Sequence, residues 1–157
     1  MIEIQPPTPI LHEVYDPSHS IFLAGSIEMG TAEDWQKTVI KDMQYYRGHI
    51  FNPRRNDWDS SWKQSIHDPQ FREQVEWELE GLRFCKTILF YFDPATKSPI
   101  SLMELGYVIG MMKPSVIVVC PKDFYRKGNV DIICRQYARS IVYTTLQEGI
   151  DALKVIC

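Results

Sequence analysis

Short apolar runs rich in β-branched and aromatic residues recur along the chain, and each breaks at Gly, Pro, Asp or Thr before a segment of helical period. The runs that read as strands are SIFLAG (20–25), GHIFNP (48–53), KTILFYF (86–92), SVIVVC (115–120) and SIVYTT (140–145). Helical period falls at about 31–47, 70–85, 99–112, 123–137 and 146–155. Alternating strand and helix predicts an α/β fold. We expect a single-domain flavodoxin- or Rossmann-like sandwich over residues 1–157, with a five-stranded, mostly parallel sheet flanked by helices. Thr31 reads as an N-cap with Asp34 as its acidic partner, and Pro99 as a first-turn proline. The Pro-containing residues 1–19 read as an irregular lead-in.

The same periodicity exposes two anomalies. On a helix over 71–85, Phe71, Val75, Leu79, Leu82 and Cys85 share one stripe, and Glu78 lies inside it, while Glu73, Glu76 and Glu80 fall on the solvated side. On the next helix, Leu105, Val108, Ile109 and Met112 form the apolar face and Glu104 sits on its flank. Both carboxylates are expected to be partly desolvated near the carboxyl end of the third of these strands. Desolvation raises a carboxyl pKa, and two such groups in one pocket suit acid chemistry and nucleophilic displacement at an anomeric carbon. Each has a plainer reading. Ser101-x-x-Glu104 is also the spacing of a capping box, and Glu78 is also placed for a salt bridge at a helix edge.

In an open parallel sheet, ligands bind beyond the carboxyl ends of the strands where strand order reverses. GSIEMG (25–30) and FDPATKSP (92–99) flank that point if the order is flavodoxin-like. Gly25 and Ser26 are therefore candidates to bring backbone N–H groups against a phosphate or sugar hydroxyl. GSIEMG matches neither GxGxxG nor GxxxxGK[ST], so dinucleotide and P-loop assignments lack support. The long polar loop after the second strand carries Asn52, Arg54, Arg55, Asp57, Trp58 and Trp62, a composition suited to gripping a flat polar ligand, with Trp58 or Trp62 stacking on a base or folding the loop onto the domain. Trp77 reads as facing a pocket wall or a subunit interface.

Composition narrows the partners. A formal charge of −3 over 157 residues leaves no basic footprint for nucleic acid, and no apolar run reaches the length of a membrane span. The head MIEIQPPTPI lacks the marks of a signal peptide, so a cytoplasmic location is expected. Four scattered cysteines and four dispersed histidines show no metal-ligand spacing, so no metal and no cofactor are assigned. A small ligand is the expected partner.

With these residues in view, the chain resembles the nucleoside 2-deoxyribosyltransferase family over roughly residues 20–137. SPISLMELGY is similar to the family's nucleophile helix, and EWELEGLRFCKTILFYF to the segment that places an acidic residue ahead of the third strand. The resemblance implies that Glu104 attacks C1′ of a 2′-deoxynucleoside, that Glu78 or Asp93 manages the proton of the departing base, and that the sugar passes to another nucleobase or to water. It also implies a homo-oligomer whose sites are shared between subunits, with Asn129 as the residue supplied by the neighbour. Phe22 stands where family transferases often have Tyr, and Ser98 where they have Asp. The GSI turn and Ser98 resemble instead the relatives that hydrolyse 2′-deoxynucleoside 5′-monophosphates, where the serine helps bind phosphate and where Arg54 or Arg55 would supply charge. A nucleotide-binding sensor without turnover is the reading from a different functional class.

Overall fold

The computed structural model describes residues 1–27, 32–55, 57, 59, 61–138 and 141–157. Six strands form one wholly parallel sheet: β1 (Ile2–Ile4), β2 (Ser20–Gly25), β3 (His49–Phe51), β4 (Thr87–Tyr91), β5 (Ser115–Val119) and β6 (Val142–Tyr143). Their order is β1-β3-β2-β4-β5-β6. Five of the six, β2 to β6, follow the flavodoxin-like order, and β1 adds an edge beyond β3. The five-stranded expectation is corrected here. Three residues carry no usable periodicity, yet residues 2–4 pair in register with 49–51.

The helices are α1 (Trp35–Asp42), α2 (Pro69–Phe84), α3 (Pro99–Gly110), α4 (Lys127–Ile133) and α5 (Leu146–Ile156). A π-helical turn, Cys134–Ala138, follows α4. Strand alternation divides the core into two layers. Phe22, Ile88, Phe90 and Val118 pack with Trp77 and Leu82 of α2 and Leu105 and Val108 of α3. Ile21, Leu23, Leu89 and Ile117 pack with Val39 of α1 and Ile150 of α5 on the other face. Strands covered on both faces read as continuous apolar runs, which is why β2, β4 and β5 were visible in the sequence.

Caps account for the helix starts. Asp34 accepts from the Lys37 N–H and is itself the N-cap of α1, rather than the acidic third position; Thr31 lies outside the described residues. Asp68 caps α2 with Pro69 at its first position, and Thr145 and Glu148 close a capping box on α5. The helix expected to continue to residue 112 ends at Gly110, and Met112 has φ +51° and lies exposed.

Two glycines set the spacing at the centre of the sheet. At Gly25 (φ +138°) a Cβ would fall 2.1 Å from the Tyr91 carbonyl oxygen, so β2 and β4 end in backbone contact. At Gly81 a Cβ would fall 2.2 Å from the Phe22 ring. This close approach lowers α2 onto β2 and carries Glu78, one turn earlier, to the sheet's carboxyl edge.

Candidate active site

Strand order reverses between β2 and β4, and the chain leaving each strand there builds the site. Ser26 follows β2, and its N–H donates to the Tyr91 carbonyl at 2.9 Å. Its hydroxyl accepts from the Asp93 N–H at 2.8 Å and lies 2.5 Å from Ser98 Oγ. Thr96 Oγ1 closes the cluster at 2.7 Å from Ser98 Oγ. All three hydroxyls are buried. Ser98 is the N-cap residue of α3 and adopts the left-handed conformation (φ 45°), turning the chain into the helix. With the helix beginning at Pro99, Ser101 and Glu104 lie within its first turns, and the capping-box reading of Ser101-x-x-Glu104 is excluded.

A cleft of about 100 Å³ opens beside this cluster. Phe22, Ala24 and Gly25 of β2 form its floor, Ser98 and Ser101 one wall, and Pro53 part of the rim. Glu104 from α3 and Glu78 from α2 both face it. Glu104 is 8% exposed, whereas Glu78 keeps partial access to solvent. Burial pushes the Glu104 carboxyl well above the usual carboxylate range, and the neighbouring Glu78 charge raises it further. Burial likewise raises Glu78, opposed by a hydrogen bond from Gln74 Nε2 to Glu78 Oε1 at 2.7 Å. Among the described residues no cation pairs with either group, so the salt-bridge reading of Glu78 gives way to an amide contact. Two carboxyls facing one small cleft resist ionising together.

Glu104, Glu78, Gly25, Ser98 and Ser101 are thus brought together, with Ser26 directly behind Ser98. Asp93 is not on the cleft wall. Its carboxylate accepts the Glu33 N–H (3.0 Å) and the Ala95 N–H (2.8 Å), bracing the two connections against each other. Asn52 is drawn away by the unforeseen β1 and Arg54 by the segment ahead of α1. Asn52 Nδ2 donates to Glu3 at 2.8 Å, and Arg54 donates to the carbonyls of Ala32 and Glu33. Both line a separate polar pocket with Gln5, Asp34 and Lys37. Arg55 grips Asp57 through two 2.8 Å hydrogen bonds and lies 5.0 Å from the Trp62 ring centre. Neither arginine reaches the cleft, and Trp58 lies outside the described residues. Asn129 is on α4 rather than in a loop and lines an apolar groove of about 490 Å³ with Leu102, Leu105, Ile132 and Tyr137. Trp77 turns inward, its Nε1 donating to the Thr8 carbonyl at 2.7 Å, so it is core and not a pocket wall.

Residues 18–124 match the family model described as nucleoside 2-deoxyribosyltransferase like. The chain belongs to this family. The match spans both strand ends and both carboxylates of the nucleoside 2-deoxyribosyltransferase-like cleft and stops before Asn129. No curated protein matches the chain. Periodicity did not single out Gln74, although its position one helical turn before Glu78 on the same face was a legible signal. Among the described residues no group of three or more His, Cys, Asp or Glu is placed to hold a metal, and no helix is long and apolar enough to cross a membrane.

Proposed function

We propose that the protein cleaves the N-glycosidic bond of 2′-deoxynucleosides and transfers the sugar to another nucleobase or to water. The observation that carries this reading is the meeting of two carboxyls, buried Glu104 and partly buried Glu78, in one cleft at the switch point of a family member's sheet. The reactive form of the pair is the one in which a single proton sits on Glu78, leaving Glu104 as the nucleophile. The Glu104 carboxylate attacks C1′, the C1′–N electron pair leaves with the base, and the proton on Glu78 passes to the departing nitrogen. In the second half, Glu78 takes a proton from the incoming base or water, whose lone pair forms the new bond at C1′ as the Glu104 ester breaks. Asp93 acts on this scheme as a brace for the surrounding backbone. A cleft of this volume suits the sugar, with the base directed toward the mouth.

The buried hydroxyl cluster favours a second reading, hydrolysis of 2′-deoxynucleoside 5′-monophosphates. Ser98 at the start of a twelve-residue helix, with Ser26 and Thr96 behind it, offers hydroxyls and backbone N–H groups to a phosphate. The charge expected from Arg54 or Arg55 is absent from the cleft, so phosphate binding would rest on these donors. Chromatography of 2′-deoxyinosine and of its 5′-monophosphate, each with and without adenine, separates the readings. A deoxyadenosine product supports transfer, and release of free base from the monophosphate alone supports hydrolysis. No reaction with either, alongside ligand binding, would favour a sensor. We further propose a homo-oligomer: Ile100, Met103 and Tyr107 on α3 and Ile132 and Tyr137 beyond it leave an exposed apolar face that a second copy would cover, carrying Asn129 toward the assembly's sites.

A further inference from the structure

We propose that Gln74 is a positioning residue that fixes which oxygen of Glu78 carries the transferred proton and supports the carboxylate that remains after the transfer. The proposal rests on the glycosyl-transfer reading above. Gln74 lies on α2 one turn before Glu78 and is 4% exposed. Its Nε2 donates to the Pro53 carbonyl at 3.0 Å and to Glu78 Oε1 at 2.7 Å. Its own Oε1 is buried without a hydrogen-bond partner.

These three facts set the amide's orientation. A backbone carbonyl only accepts, so the Gln74 atom beside Pro53 O must be the nitrogen. Rotating the amide by half a turn would bring two carbonyl oxygens together, and the unpartnered Oε1 exerts no competing demand. The N–H that faces Glu78 is therefore held there by the chain beyond β3. Oε1 of Glu78 is committed as an acceptor, which leaves Oε2 as the oxygen for a proton on this carboxyl. When Oε2–H passes its proton to the leaving nitrogen, the new negative charge forms against a donor already in place, with no rearrangement needed. Among the described residues, Glu104 is the titratable group that faces Glu78 across the cleft; β2 and the chain after β3 present uncharged Phe22, Ala24 and Pro53. A glutamine serving only to stitch α2 to that chain would need the Pro53 contact alone.

The test compares two leaving groups. 7-Methyl-2′-deoxyguanosine already carries a positive charge on its base and departs without a proton, whereas 2′-deoxyguanosine needs one. Both are supplied as nucleosides and as 5′-monophosphates, and base release is measured for wild type, Gln74→Met and Gln74→Lys. Gln74→Met is expected to lose about ten- to a hundred-fold in kcat on 2′-deoxyguanosine, the range for one hydrogen bond to a charged group, and less than about three-fold on the methylated substrate. Gln74→Lys sets a positive charge against Glu78 that holds its carboxylate ionised, so it too should lose activity on 2′-deoxyguanosine while sparing the methylated substrate. Equal losses on both substrates, in variants whose thermal unfolding remains cooperative, would overturn the role of Gln74. Absence of base release by wild type from every substrate would instead overturn the glycosyl-transfer reading itself.

Discussion

At the scale of a single residue, the burial that suits Glu104 to the proposed chemistry opposes the stability of the fold. A carboxyl whose pKa is raised by folding binds its proton more tightly in the folded chain than in the unfolded one. Stability is then unaffected below the unfolded value of about 4.3, falls as pH rises from there to the folded value, and stays lower above it. Glu104→Gln is accordingly expected to stabilise the protein by about 1–3 kcal/mol near pH 8, with the gain vanishing below about pH 4. Denaturant unfolding across that range checks the sign; destabilisation at high pH would mean that the carboxylate makes favourable contacts. The pair also shapes the rate. On the proposed mechanism catalysis needs one proton on the two groups, so kcat/KM should follow a bell whose limbs belong to the pair, and both raised groups set it above the range of ordinary carboxylates. Glu78→Gln should abolish the basic limb on substrates that need a protonated base, while a profile flat from acid to alkaline pH would remove the pair from the chemistry.

At the scale of elements, β2 and β4 were legible because both of their faces are covered, and the junctions after them were placed by the switch-point rule. Glu78 and Glu104 were found by helical phase, yet the phase of α2 was only partly right. Leu79, assigned to its apolar stripe, is exposed, while Trp77 and Gln74 are buried. The reason lies in residues 1–19, which pack over α2 through the Trp77 contact to Thr8 and the His12 contacts to Phe84 and Glu80. No local period in α2 encodes that cover. Asn52 and Arg54 were misplaced for the same reason, since their partners come from β1 and from the segment ahead of α1, which are distant in sequence. The close contact of the two central strand ends gives a prediction at this scale. Gly25→Ala would force a Cβ into the Tyr91 carbonyl at a backbone angle that favours glycine, and should cost about 2 kcal/mol or more in thermal or denaturant unfolding. Undiminished stability and activity would mean that the junction can open without consequence.

At the scale of the whole molecule, the exposed apolar residues of α3 and of the groove lined by Asn129 bear on assembly. Sedimentation velocity at micromolar concentration should find species larger than one chain, and Met103→Glu should shift them toward monomer; a monomeric wild type would confine catalysis to the residues of a single cleft. The proposed chemistry turns on one bond, between Glu104 and a sugar carbon. It is tested most directly by incubating the protein with a 2′-deoxy-2′-fluoroarabinosyl nucleoside or its 5′-monophosphate, whose fluorine slows breakdown of a glycosyl ester by opposing positive charge at C1′. Peptide mass spectrometry should then find one fluoropentosyl group on Glu104, and none in Glu104→Ala. Turnover by the wild type with no adduct, or an adduct on another residue, would contradict the account.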